Sequence, residues 1–102
     1  MASLQDVTDK IRAAVGADSG LGKSLKFDLK DDGVIHIDGG AVTNDDKPAD
    51  LTMTMSLSDL LDVGAGRLDA TGAVMSGRIK LSDMMLAMSL QPKMSALFSK
   101  LA

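Results

Sequence analysis

Cysteine, tryptophan, tyrosine and glutamate are absent from these 102 residues, and the chain holds only two phenylalanines and one histidine. Without cysteine there is no disulfide, no thiol nucleophile, no thiolate metal site and no iron-sulfur cluster. Without glutamate, the pairs Asp31-Asp32 and Asp45-Asp46 lack the terminal ligand of a calcium-binding loop, and turn chemistry accounts for both. A net charge of -3 with 2% aromatic residues supplies neither the basic footprint nor the stacking platforms of a nucleic-acid binder. No stretch approaches the roughly 18 apolar residues of a membrane span. Asp6 and Asp9 fall where a signal peptide needs an unbroken apolar region. The expectation is a soluble, cytoplasmic protein.

What is present, 45% hydrophobic and 25% charged residues, suits one domain over residues 1–102. Ser3 and Asp6 form a capping-box pattern, and Leu4, Val7, Ile11, Ala14 and Val15 recur at helical spacing up to Gly16, which predicts a helix over 4–15. In LKFDLKDDGVIHID two alternating runs flank Asp-Asp-Gly and predict a β-hairpin. A three-residue loop would pair Lys30 with Val34, set Asp28 opposite His36 and Lys26 opposite Asp38 on an exposed face, and put Phe27 and Ile37 on the apolar one.

Gly39 and Gly40 mark a bend, Ala41 to Thr43 a short edge strand, and Leu51, Met53 and Met55 an inward-facing row on the next strand. Ser56 with Asp59 caps a short helix carrying Leu57, Leu60 and Leu61 that Gly64 and Gly66 end, and Asp69 caps a second turn with Ala73, Val74 and Met75. GRIKLS, residues 77–82, alternates as a last strand.

The segment DMMLAMSLQPKM, residues 83–94, holds four of the eight methionines. From Met84 to Leu90 it is apolar nearly all round, so it needs burial on more than one side. Pro92 suits the first position of a new helix, in which Met94, Leu97, Phe98 and Leu101 follow helical spacing. Methionine at such spacing is most often plain core filling, with the wall of an adaptable apolar chamber as the alternative. Helices before, between and after an all-antiparallel or mixed set of strands predict an α+β, two-layer architecture with helices over one face of the sheet.

Several patterns invite catalytic readings and fail on context. GLGKS, residues 20–24, ends like a phosphate-binding loop, but it follows a helix and enters a strand, the reverse of what that loop requires. GAGRLD, residues 64–69, would need a third glycine at Asp69 to bind a dinucleotide. His36 with Asp28 could orient a general base, yet no Gly-x-Ser-x-Gly elbow supplies a nucleophile. The residues call for no cofactor, no metal and no catalysis.

The block DLLDVGAGRLDATGAVMSGRIKLSDMMLAMSLQ, residues 59–91, with LGKSLKFDLKDDGVIHIDGG and ADLTMTMSLSDLL upstream, resembles the sterol carrier protein 2 family of small lipid-binding domains. The resemblance runs on the Gly66-Arg67 step, the Asp69-led turn, Gly77-Arg78-Ile79-Lys80-Leu81 and Leu86-Ala87-Met88, and covers roughly residues 4–94. It implies a five-stranded, mostly antiparallel sheet, helices over one face, and an apolar tunnel between the layers. The chain departs from the family where Ser82 runs straight into Asp83 without an intervening glycine, and where Ser89 replaces a basic residue.

On that resemblance the expected function is lipid binding and transfer, of fatty acid, fatty acyl-CoA, sterol or phospholipid. The candidate lining is Phe27, Met53, Met55, Leu61, Met75, Met85, Met88 and Phe98, with Gln91 as a polar contact. Expected partners are a lipid or fatty acyl ligand and at most weak membrane contact. The alternative is a protein-interaction or homodimer module whose apolar groove takes a partner helix.

Overall fold

The structure is a computed structural model, and it describes residues 3–18 and 20–100. Helix α1, Leu4–Val15, opens on the capping box read from the sequence: the Asp6 amide donates to Ser3 Oγ at 3.2 Å and the Ser3 amide to Asp6 Oδ2 at 3.1 Å. Its inner stripe of Val7, Ile11 and Val15 is buried. Thr8 joins them because its hydroxyl donates to the Leu4 carbonyl at 2.7 Å and accepts from Asn44 Nδ2 at 2.9 Å.

Strands β1 (Leu25–Asp28), β2 (Val34–Asp38), β3 (Ala41–Thr43), β4 (Leu51–Thr54) and β5 (Lys80–Leu81) form one sheet in the order β3-β2-β1-β4-β5. The sheet is mostly antiparallel, with one parallel pair, β1 beside β4. Its alternate residues Leu25, Phe27, Ile35, Ile37, Leu51 and Met53 point into the core shared with the helices, where burying each large apolar side chain contributes about 1.5–3 kcal/mol.

The hairpin register differs from the expected one by two residues. Lys30–Asp32 form a 3-10 turn, Leu29 bonds Gly33 through its amide at 2.9 Å, and the paired residues are Asp28 with Val34 and Lys26 with His36. The longer loop is possible because Lys30 takes a φ of 60° while its amide donates to Asp28 Oδ1 at 3.1 Å, an Asx-type bond that competes with the ladder. A slip of two keeps every side chain on its face, so Phe27 and Ile37 still share the apolar one.

His36 is buried, not on an exposed face as expected. The chain after β3 turns back over the outer side of the sheet, bringing the Pro48 carbonyl to 3.1 Å from His36 Nε2 and Asp46 Oδ1 to 2.9 Å from Lys26 Nζ. Gly40 is needed at the start of that excursion, since a Cβ there would meet the Ala17 carbonyl oxygen at 2.1 Å.

Asp50 ties the start of β4 to the start of β1. Its carboxylate accepts from the Ser24 amide at 2.9 Å and the Ser24 hydroxyl at 3.1 Å, and its amide donates back to Ser24 Oγ at 2.8 Å. The backbone bond first, then the hydroxyl, lower the Asp50 pKa from 3.8. A carboxyl lowered in this way stabilises the fold when ionised, above its unfolded pKa, and the contribution is lost as pH falls through the folded value. Asp50→Asn should therefore flatten the acid side of a Tm-against-pH curve below about pH 4. An acid limb identical to the wild type would count against the Ser24 clamp.

Helices α2 (Leu57–Gly64), α3 (Ala70–Met75) and α4 (Met84–Ser99) complete the fold. Helix α4 runs unbroken through Pro92, which stands in its interior and does not begin a new helix. Proline removes its own amide bond and sets its ring against the preceding turn, yet helical packing on both sides, from Ala87 and Leu90 to Met94 and Leu97, holds the segment together. Leu101, the last member of the expected stripe, lies outside the described residues.

Candidate functional site

The segment from α2 to β5 is built by one device used twice. At the end of α2 the Gly66 amide bonds the Val63 carbonyl and the Arg67 amide the Asp62 carbonyl; at the end of α3 the Gly77 amide bonds Val74 and the Arg78 amide bonds Ala73. Gly66 and Gly77 have φ of 78° and 84°, so both are Schellman caps that need glycine. Each cap is followed by an arginine paired to α2: Arg67 Nη2 lies 3.1 Å from Asp62 Oδ1, and Arg78 Nη2 lies 2.5 Å from the largely buried Asp59. The two glycine-arginine steps thus hold α2 and α3 as a folded arm beside β5.

Ser82 carries the chain from that arm into α4. Its amide donates to the Thr52 carbonyl at 3.0 Å and its hydroxyl accepts from the Thr52 amide at 2.9 Å, fixing the strand end to β4, and Asp83 then caps α4 by accepting the Leu86 amide at 3.1 Å. Ser82 thus satisfies the backbone amide and carbonyl of Thr52 together.

Between this arm and α4 lies a cavity of about 820 Å³. Met53 and Leu81 contribute from β4 and β5, and Val63, Leu68, Val74 and Met75 from the arm. One face of α4 closes the other side, with Met84, Ala87, Met88, Met94 and Phe98 as its apolar members and Gln91, Ser95 and Ser99 as a polar row. Among the described lining residues Asp69 alone is ionisable, and its carboxylate is engaged in capping α3, accepting the Gly72 amide at 3.1 Å. Met75, Met84 and Met88 line the space and yet are 84%, 51% and 67% exposed, so the cavity opens to solvent along them.

Of the residues expected to line a chamber, Met53, Met75, Met88, Gln91 and Phe98 come together here. Phe27, Met55, Leu61 and Met85 lie outside the lining. Phe27 and Met55 are fully buried core residues, Leu61 packs against the core, and Met85 points to solvent, 82% exposed. Phe27 reaches the site at one remove, its ring centroid 5.9 Å from that of Phe98. Sequence reasoning passed over Met84, Met94, Ser95 and Ser99. One helical stripe through Pro92 would have found them, since 84, 87, 88, 91, 94, 95, 98 and 99 repeat at three and four.

Among the described residues no helix is long and apolar enough to cross a membrane, and no group of three metal-ligating side chains is assembled. Residues 3–95 match the SCP-2 sterol transfer family. Bovine sterol carrier protein 2 is 43% identical over 54 residues, which cover 52% of this chain and 10% of that protein. The match thus spans about a tenth of the length of that relative. Among solved structures, the apo form of sterol carrier protein 2 from Yarrowia lipolytica superposes with a TM-score of 0.74 at 19% identity, covering 92% of this chain and 91% of that one. Sterol carrier protein 2 like 2 from Aedes aegypti gives 0.72 at 27% identity over 87% of this chain and 94% of that one.

Proposed function

Because the chain belongs to the SCP-2 sterol transfer family, a family of lipid-binding and lipid-transfer domains, we propose that it is a non-catalytic carrier of single-chain lipids, fatty acids or fatty acyl-CoA. The observation that supports this most is the cavity itself. At about 820 Å³ it falls within the range of small-ligand sites, and its walls are aliphatic and thioether groups. A carboxylate head has no cation to meet among the described lining residues and a fixed Asp69 to avoid, so the acyl chain enters and the head stays at the mouth.

Each methylene removed from water contributes about 0.8 kcal/mol, so ten buried carbons offer roughly 8 kcal/mol, a ceiling of about 1 μM before ordering costs that longer chains raise. Methionine walls refill around chains of different shape, which predicts broad selectivity, with sterols and phospholipids as weaker candidates. His36 supports the non-catalytic reading, since it is 4% exposed and its Nε2 faces the Pro48 carbonyl. The proposal takes residues 1–102 as one domain working in the cytoplasm without a cofactor.

Titration with a fluorescent fatty acid tests it. Met84→Ala with Met88→Ala should weaken binding by about tenfold through lost apolar contact, whereas Met85→Ala should leave it unchanged. Wild-type protein that shows no saturable uptake of any single-chain lipid would overturn the carrier reading. Met85, exposed and outside the lining, favours a second reading in which this face also meets a partner helix or a second copy. A sedimentation coefficient that rises with protein concentration would support it.

A further inference from the structure

The methionines among the described residues fall into two accessibility classes. Met53, Met55 and Met94 are 4%, 0% and 7% exposed, whereas Met75, Met84, Met85 and Met88 range from 51% to 84%. Three of the exposed four, Met75, Met84 and Met88, are also walls of the cavity, and Met85 is not. Exposure is what a thioether needs to meet a dissolved oxidant, and with no cysteine in the chain no thiol competes for it.

We propose that Met75, Met84 and Met88 form an oxidation-sensitive rim whose conversion to sulfoxide by a peroxide expels or excludes the lipid. This rests on the carrier reading. In each event the thioether sulfur attacks one peroxide oxygen, the O–O bond breaks, sulfur loses two electrons and gains one oxygen, and hydrogen peroxide leaves as water. The product is a polar, chiral group with a strong acceptor oxygen where the lipid requires apolar wall. Val74, Ala87 and Leu81 offer that oxygen no side-chain donor, and the donors the lining does carry are Thr71, Gln91, Ser95 and Ser99. A chain bound over it leaves a polar group unhydrated, which costs free energy that the chain's own burial must then offset. A thiol-dependent sulfoxide reductase restores the wall: two thiols supply two electrons and two protons and become a disulfide, and the oxygen leaves as water, so the change is reversible.

Limited hydrogen peroxide treatment of the full chain, followed by peptide mapping, should place oxygen on Met75, Met84, Met85 and Met88 well before Met53, Met55 and Met94. Bound fatty acid should slow the reaction at Met84 and Met88 and leave Met85 unaffected. Fluorescent fatty acid should then bind the oxidised protein about tenfold more weakly or worse, with a far-UV melt that still shows a folded chain, and methionine sulfoxide reductases should restore affinity. Met85→Leu should lose affinity on oxidation as the wild type does. The triple variant Met75→Leu, Met84→Leu, Met88→Leu should show the same affinity before and after peroxide, whatever its starting value. Equal binding by oxidised and untreated wild type overturns the inference and leaves the carrier reading standing. So does oxidation of Met53, Met55 and Met94 at the rate of the exposed four, or an affinity loss explained by unfolding. Untreated protein that takes up no lipid removes the carrier reading, and the inference with it.

Discussion

Phe27→Ala is expected to lower the unfolding free energy by about 3–5 kcal/mol, the range for emptying a buried aromatic site. Phe27 is the largest fully buried side chain, stands in the central strand β1 between β2 and β4, and meets Phe98 at 5.9 Å and a tilt of 51°. Its neighbours across the sheet are Ile35 and Met53, and the chain's other phenylalanine is Phe98. A chain of this size has about 5–15 kcal/mol in total, so the variant should melt roughly 15 °C or more below the wild type. Urea unfolding gives the free energy directly, and a loss under 1 kcal/mol would show that the core collapses around the gap. Phe98→Ala should behave differently, because Phe98 is only half-buried and lines the cavity: a smaller loss of stability with a larger loss of lipid affinity.

Pro92→Ala should move stability the other way, raising it by about 1–3 kcal/mol. Pro92 is an exposed residue within α4, eight residues from its start, and it denies the Met88 carbonyl the amide that a helix would supply. Alanine restores that bond and removes the ring from the preceding turn. If the variant proves less stable, the helix depends on the geometry that proline imposes, and the Met84–Met88 wall would be expected to shift with it.

Much of the fold was legible because the local signals agreed with one another. Ser3, Ser56 and Asp69 each cap the helix that their spacing predicts, and the alternation of Leu25 with Phe27 and of Leu51 with Met53 gives the inward face. The parts that differed turn on competition that a linear sequence does not settle. Lys30 adopts a positive φ that its residue type disfavours, and the turn lengthens by two. His36 looks like a surface residue until the segment carrying Pro48 is seen to cross it. Pro92 carries a strong stop signal that the packed residues on both sides override, and reading the helix as two pieces hid the stripe that joins Met84 to Ser99. Membership of the cavity wall was half-visible for the same reason: apolarity marks Met85 and Met88 alike, and only the phase of the helix separates them.

The sheet also ends in an unusual economy of strand. On one side β3 has three residues, and Arg12 Nη2 donates to the outward Val42 carbonyl at 2.8 Å, occupying a position another backbone would use. On the other side β5 has two residues. A long open edge is a template on which a second chain can add a strand and begin a fibril. At both margins this sheet offers almost no ladder for such growth to start from.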